Sequence, residues 1–322
     1  MTYVIGVDAG GTSTRAAVAD ATGQVVGYAR SGPGNPTSAG LEVAVASIVG
    51  SCRQAAQRAG VQPSRVMVTL AGGSGFDVPG RVSAALAEAG MPVPVDWAGD
   101  VVSAYFSATA EPSGYLVLSG TGATGARIED WRLTRVCDGV GWLLGDEGSG
   151  FWVGREVVRA AAADLDQRGP ATALTEMVLA EVADEAPPPP DQSTHVAARA
   201  DDMWRLMSRV YGRRPVACAD FAPLALTAAA AGDPVAGEIV ERAGAGLLAT
   251  CAAIVADDDR PLVLAGGLLH DQSPLSARIR DRYPGRCCRA REGTAGAVLL
   301  ALRAAGHHPG AQHLERVLDG LS

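Results

Sequence analysis

Runs of apolar residues with strand length alternate along the chain with helical apolar spacing, and the same order of elements occurs twice. In the first half, two strand-length runs flank a glycine turn, and a third follows Ala21-Thr22-Gly23. Leu41 to Ala59 then has the spacing of a helix, which Gly60 ends. The order restarts at Gly114, with three strands through Val136. The pattern predicts two related α/β halves.

The second half is longer because helices are inserted after its third strand. Pro187 to Pro190 interrupts them, and we interpret this run as a loop between helices rather than as a polyproline segment that binds a partner. The other predicted elements are strands at Arg65 to Leu70 and Val93 to Trp97, helices at Val78 to Glu88, Val101 to Thr109, Phe151 to Asp184 and His195 to Ala256, and a buried strand at Pro261 to Ala265 that runs into Gly266-Gly267.

Composition favours a cytoplasmic protein with two cores. The chain has 322 residues, of which 48% are apolar, and this exceeds what one core usually organises. A formal charge of −8 argues against nucleic acid or an anionic membrane as a partner. We expect no secretory leader and no membrane span, since the first residues already read as a strand.

The basic residues exclude several classes of enzyme site. All 27 of them are arginine, which excludes a Walker A lysine, a Schiff-base lysine and a pyridoxal-phosphate anchor. The six cysteines show no C-x-x-C spacing, so we expect reduced and mostly buried thiols. We assign no role to the histidines near the C-terminus.

Each half carries a glycine turn between two strands, at residues 8–14 and 119–125. Glycine lets the main chain approach an anion closely and turn its amides toward it. The repetition therefore predicts a nucleotide whose phosphates are held between two related halves.

Two aspartates allow both a structural and a chemical interpretation. Asp8 ends the first strand, where it could cap the turn or hold hydrated Mg²⁺ against the phosphates, and we favour the metal. Asp100 starts a predicted helix, where it could cap the free amides, act as a general base, or do both.

A glycine-dense loop runs from Asp138 to Gly150 and contains one indole and two further acids. It is typical of a hairpin exit with a helix cap. It also offers what a sugar needs, namely carboxylates for hydroxyl groups and an aromatic face for the ring. Different residues of the loop can serve each purpose. Gly266-Gly267 alone is a generic strand-to-helix turn.

In this order the segments resemble the superfamily of sugar kinases, heat-shock protein 70 and actin, and within it the BadF/BadG/BcrA/BcrD-type ATPases, which include N-acetylglucosamine kinases. The resemblance covers nearly the whole chain. It rests on four motifs, namely Asp8-Ala9-Gly10-Gly11-Thr12, Ser119-Gly120-Thr121-Gly122, Leu144-Gly145-Asp146-Glu147-Gly148-Ser149-Gly150 and Ala265-Gly266-Gly267. The third is the most specific.

The resemblance implies two ribonuclease-H-like (actin-like ATPase) domains that close over ATP and sugar, with Asp100 as the catalytic base. We expect domains at 1–113 and 114–292, with helices of 293–322 returning to the first, and a homodimer. Residues and resemblance together assign Asp8, Gly10, Gly11, Thr12, Gly120, Thr121, Gly122, Gly266 and Gly267 to nucleotide and Mg²⁺, and Asn35, Gly72, Gly141, Trp142, Asp146 and Glu147 to the sugar.

The departures from the family pattern fall where the substrate is chosen. Val140 stands where the N-acetylglucosamine kinases carry Trp, Trp142 stands where they place His or another aromatic, and Gly99 replaces the Asn before the base. We predict an ATP-dependent kinase that phosphorylates the 6-hydroxyl of N-acetylglucosamine or glucosamine. The alternatives are an ATPase that activates an acyl-CoA dehydratase or reductase, which needs cluster-binding thiolates, and a sugar sensor without catalysis.

Overall fold

The computed structural model describes residues 2–62, 78–184 and 201–322, and the backbone alone of 66–72. The predicted break at Pro187 to Pro190 lies outside these residues. The strands are β1 (Tyr3–Ala9), β2 (Thr14–Asp20), β3 (Val25–Ser31), β4 (Val66–Gly72), β5 (Val95–Ala98), β6 (Gly114–Ser119), β7 (Ala123–Glu129), β8 (Arg132–Asp138), β9 (Leu262–Ala265) and β10 (Cys287–Arg289).

The helices are α1 (Pro36–Ala39), α2 (Leu41–Ala59), α3 (Val78–Glu88), α4 (Asp100–Phe106), α5 (Gly150–Leu165), α6 (Ala173–Glu181), α7 (Asp201–Tyr211), α8 (Ala222–Ala230), α9 (Pro234–Ile254), α10 (Pro274–Arg282), α11 (Gly293–Ala304) and α12 (Ala311–Leu321). Short 3₁₀ turns at Pro215–Phe221 and Gly267–Leu269 complete the regular structure of the described residues.

The strands form two five-stranded sheets with the same internal order. The first is β3-β2-β1-β4-β5 and the second is β8-β7-β6-β9-β10. In each sheet the first two pairings are antiparallel and the last two are parallel. The predicted repetition of strand order is therefore confirmed. It places the carboxyl ends of β1, β4 and β5 at one edge of the first sheet, and those of β6, β9 and β10 at one edge of the second.

Local signals set most element boundaries correctly. The helix predicted at Leu41 to Ala59 is α2, and Gly60 ends it in the left-handed conformation (φ +63°). The helix predicted at Val101 to Thr109 is shorter and begins one residue earlier, because Gly99 is its N-cap. The interpretation of Asp100 as the cap is wrong: its carboxylate accepts from the amide of Val101, 2.8 Å away, and from no later amide of α4 among the residues that the structure describes.

Helix α11 lies against the first sheet although it follows the last strand of the second. A Cβ at Gly6 of β1 would overlap the backbone of α11 at Val298, and one at Gly296 would overlap the carbonyl of Ser103 in α4. Glycine at both positions therefore allows this approach. It carries the chain from the second sheet back to β1.

The apolar side chains form separate cores. One lies between the first sheet and α2 and α3, around Ile5, Ile48 and Leu86. A second joins the two sheets through α4, α11 and α12, and a third fills the second sheet and the inserted helices. All six cysteines are free thiols, as predicted, and half of them are buried. Burial raises the pKa of Cys52 to about 12.

A helix must be long and apolar enough to cross a bilayer on its own. Of the helices described, none is by itself long and apolar enough to cross one. The pair Pro215–Ala230 and Pro234–Ile254 reaches the required length and composition together, but it is bent by 116°.

Candidate active site

The predicted nucleotide and sugar residues of the first half meet at the carboxyl edge of its sheet. Asp8 of β1 pairs with Gly72 of β4, which pairs in turn with Ala98 of β5. Asp100 follows β5 two residues later, as the first residue of α4. Parallel strands thus bring together residues that are about ninety positions apart in the chain.

The first glycine turn is closed by its own backbone and by the segment after β3. The amide of Gly10 donates to the carbonyl of Ser13 at 3.0 Å, and the carbonyl of Gly10 accepts from the amides of Gly34 and Asn35 at 2.9 and 3.1 Å. The Asn35 side chain caps α1 by accepting from the amide of Thr37. Asn35 is therefore held beside the turn, where the sequence predicts a sugar contact.

Charged side chains gather around Asp8. Its carboxylate lies 3.6 Å from the guanidinium of Arg15, which lies 3.4 Å from the carboxylate of Glu292. Asp8 is only 24% exposed. Burial raises the pKa of Asp8, Glu292 and Asp100 raise it further, and Arg15 opposes the rise. Asp100 is therefore close enough to act electrostatically on Asp8.

This cluster fits a hydrated divalent cation. The carboxylates of Asp8 and Glu292 both lie beside the guanidinium of Arg15, and Asp100 starts α4 at the same edge of the sheet. A Cβ at Gly293 would lie 2.9 Å from Asp8 Oδ2, so glycine there leaves room at the carboxylate. Oxygen donors with space for retained water are what Mg²⁺ prefers. In the described part of the chain, no group of three or more His, Cys, Asp or Glu is arranged to bind a metal ion directly.

The second glycine turn packs against two other predicted motifs. Its carbonyls at Gly120 and Thr121 accept from the amides of Gly150 and Phe151 at 2.7 and 3.1 Å, so α5 begins at the turn. Gly266 has φ +93°, and a Cβ there would overlap the carbonyl of Ser119. The Gly266-Gly267 segment therefore lies directly beside the second phosphate turn.

Asp138 organises the glycine-dense loop that follows β8. Its Oδ1 accepts from the amides of Gly139 and Asp146 at 2.8 and 2.7 Å, and its Oδ2 accepts from Glu147 at 3.1 Å. A Cβ at Gly145 would overlap Oδ1, so glycine admits the carboxylate. One side chain thus ties both ends of the loop together.

Asp146 connects this loop to the second phosphate turn. Its Oδ2 lies 3.2 Å from where a Cβ of Gly122 would stand, and its Oδ1 accepts weakly from the amide of Ala123 at 3.4 Å. Burial raises the pKa of Asp146, with a further contribution from Asp138. Its carboxylate thus faces the turn.

The other sugar candidates of the loop lie at its surface. The Trp142 indole is 43% exposed, and its ring centroid lies 5.4 Å from that of Phe151. Gly141 has φ +86° and open space around it. Glu147 is exposed and packs beside Gly246 of α9. Among the described residues, no hydrogen bond or ion pair joins these three to Asp8 or Asp100.

A cavity of about 690 Å³ connects the two edges. Asp8, Arg15 and Glu292 line it from the first sheet and the start of α11, Arg289 lines it from β10, and Asp271 lines it from the turn before α10. Arg289 and Asp271 are paired at 3.2 Å. The cavity is large enough for a small-molecule ligand.

Sequence reasoning missed the partners of Asp8. Arg15 pairs with Asp8 in the antiparallel ladder of β1 and β2, and that register could have been deduced from the short turn. Glu292 carried no such signal, because its position depends on the packing of α11 against β1.

Comparison with known proteins agrees with this geometry. The model of the BadF/BadG/BcrA/BcrD ATPase family matches residues 5–301. The chain is 29% identical to the glucosamine kinase GspK of Vibrio cholerae over 184 residues, which are 56% of this chain and 61% of that protein. It is 27% identical to the N-acetyl-D-glucosamine kinase of Dictyostelium discoideum over 92% of this chain and 97% of that protein.

A solved structure extends the likeness to three dimensions. It is described as a candidate N-acetylglucosamine kinase from Chromobacterium violaceum and superimposes with a TM-score of 0.71 at 27% identity. The match covers 94% of this chain and 99% of that one. The likeness therefore extends to both sheets and the inserted helices.

Proposed function

We propose that this chain, which belongs to the BadF/BadG/BcrA/BcrD ATPase family, is an ATP-dependent amino-sugar kinase. It transfers the γ-phosphoryl group of ATP to the 6-hydroxyl of N-acetylglucosamine or glucosamine. One observation carries the proposal: Asp100 follows β5 at the same carboxyl edge of the first sheet where Asp8 leads into the first glycine turn. This supports a base and a phosphate-side carboxylate that act at the same edge of the sheet.

The proposed architecture is two ribonuclease-H-like domains of the actin-like ATPase type, at residues 1–113 and 114–292, with 293–322 returning to the first. The identical strand order of the two sheets supports this division. The contacts of α11 with β1 and α4 support the return. Each domain offers one glycine turn to the cleft between them.

In the proposed mechanism, Asp100 accepts the proton of the sugar 6-hydroxyl as that oxygen attacks the γ-phosphorus. Asp100 is exposed at the start of α4, so a sugar can reach it. The bond from the γ-phosphorus to the β,γ-bridging oxygen breaks, and ADP leaves. Mg²⁺, held through water near Asp8, would offset the negative charge of the phosphates.

The two glycine turns grip the phosphates with backbone amides and hydroxyls. The amides of Gly10 and Gly120 already close their own turns, with the carbonyls of Ser13 and Gly122 as acceptors. Other groups of the turns, including the hydroxyls of Thr12 and Thr121, are left for the phosphates. Arg15 and Arg289, which line the same cavity, add positive charge in a chain without lysine.

The glycine-dense loop selects the sugar in this proposal. Trp142 supplies an apolar face, Asp146 and Glu147 supply acceptors, and Asn35 and Gly72 complete the site from the first half. Because Trp142 and Asp100 come from different halves, the halves must close to assemble the site, and closure excludes water as a competing acceptor. We further propose that the enzyme works in the cytoplasm as a homodimer.

The experiment is ADP release from Mg-ATP by the purified chain with N-acetylglucosamine, glucosamine, N-acetylmannosamine, glucose or no sugar. Asp100→Asn should lower the sugar-dependent rate by about 10²- to 10⁴-fold, the usual contribution of a general base. Asp201→Asn is the matched control, because Asp201 is likewise an exposed first residue of a helix but lies on α7. ADP release at a rate that does not depend on sugar, or an active Asp100→Asn variant, would overturn the proposal.

A further inference from the structure

A second cavity, of about 560 Å³, lies where the β5–α4 junction meets the β7–β8 turn and the end of α11. Two indoles, those of Trp97 and Trp131, form part of its wall. Two arginines and two aspartates also line it, namely Arg132, Arg303, Asp96 and Asp130. Its volume is that of a small-molecule site.

This cavity is separate from the cleft described above. The β7–β8 turn and the second glycine turn lie at opposite ends of β7, whose seven residues span roughly 20 Å. Of the residues assigned to nucleotide or sugar, none is among the described residues that line it, although Gly99 brings its rim next to Asp100.

The β7–β8 turn holds a strained conformation at this cavity. Asp130 and Trp131 have φ of +46° and +67°, a region that favours glycine and that bulky residues rarely adopt. The Trp131 ring stacks on Phe106 of α4, with centroids 4.1 Å apart and planes 6° apart. Its amide donates to the carbonyl of Pro112 at 2.9 Å. Both φ values are those of a two-residue hairpin turn, and the ring stacking and the hydrogen bond fix this turn at the cavity wall.

The two arginines and two aspartates of the wall suit a ligand that carries both a phosphate and hydroxyl groups. The guanidinium of Arg303 lies 5.9 Å from the Trp131 ring centroid, 3.8 Å from Asp130 and 2.9 Å from Nδ1 of His308. Arg132 is exposed and forms no ion pair with any residue that the structure describes. Arginine forks match phosphate oxygens, aspartates accept from hydroxyls, and indole faces pack on the C–H surface of a sugar ring.

We propose that this cavity is a second ligand site, which takes a sugar phosphate. Its walls come from both sheets, so a bound ligand contacts both of them. The site itself does not depend on the proposed kinase activity. Only the choice of a hexosamine 6-phosphate as the probe rests on it.

The test is isothermal titration calorimetry of the full chain with glucosamine 6-phosphate and N-acetylglucosamine 6-phosphate. Inorganic phosphate and glucosamine are the comparison ligands. The titration is repeated with the cleft filled by a non-hydrolysable ATP analogue and N-acetylglucosamine. We expect binding that persists with the cleft filled and is weaker for either comparison ligand.

Two arginines of one strand make a matched pair. Arg132→Gln should weaken binding about tenfold or more, since it removes a charge-assisted hydrogen bond, whereas Arg135→Gln should not, because Arg135 is exposed on β8 outside the cavity. No binding by the wild type, loss of binding on filling the cleft, or equal affinity of Arg132→Gln and wild type would each refute the site. None of these outcomes depends on turnover, so they are distinct from a failed kinase assay.

Discussion

The Asp138 carboxylate is expected to determine whether the glycine-dense loop is ordered. Asp138→Ala removes three hydrogen bonds from backbone amides, at 2.8, 2.7 and 3.1 Å. A hydrogen bond to a charged group contributes about 1.5–3 kcal/mol, and the exposure of Gly139 and Glu147 lets water replace part of that. We therefore expect the free energy of opening the loop to fall by about 2–3 kcal/mol.

The assay is amide hydrogen exchange of peptides covering residues 138–148. A loss of 2 kcal/mol corresponds to about a 30-fold faster exchange through local opening. Asp138→Asn should cost less, about 1 kcal/mol, because its carbonyl oxygen can keep the two Oδ1 contacts and Asn tolerates the φ of +60° at this position. If the ordered loop is the form that binds sugar, the KM for sugar rises from wild type to Asp138→Asn and further to Asp138→Ala.

Gly145 provides the decisive control. Gly145→Ala leaves Asp138 in place but puts a Cβ where its Oδ1 lies, and φ at 145 is not in the left-handed region. Its loop should therefore exchange as fast as that of Asp138→Ala. The double variant should exchange little faster, because the carboxylate that the added Cβ would displace is already absent. Unchanged exchange in Asp138→Ala, or additive losses in the double variant, would refute the reasoning.

Two further predictions concern stability. Burial raises the pKa of Asp8, so ionising it lowers the stability of the folded chain as pH rises from about 4 through the raised pKa. Without Mg²⁺, Asp8→Asn should therefore increase Tm at neutral pH and lose that advantage near pH 4. A lower Tm of the variant at neutral pH would contradict this. Gly50→Ala within α2 should stabilise the chain by about 0.5–1 kcal/mol in urea unfolding, since a Cβ there meets open space, whereas Gly60→Ala at φ +63° should destabilise it.

Local patterns were enough to predict the fold to a large extent. The apolar periodicity and the glycine turns predicted the order of elements along each half and its repetition, because both depend on residues close together in the chain. The N-cap of α4 was predicted wrongly because Gly99 and Asp100 are both acceptable cap residues, and only the backbone conformation of Gly99 decides. The charged residues around Asp8 were harder to predict, since Glu292 is brought near Asp8 only by the packing of α11 on Gly6.

The two glycine turns differ in the carboxylate that lies beside each of them. Aligning Gly10 with Gly120 places Leu118 where the first copy has Asp8, so only the first turn carries a strand-end carboxylate. The second turn instead meets Asp146, which reaches it from the loop that Asp138 holds. A cation that bridges phosphates is therefore expected on the side of the first turn, while the second turn and the sugar loop are coupled through Asp146. An identical local motif in the two halves thus need not bind the same part of the nucleotide.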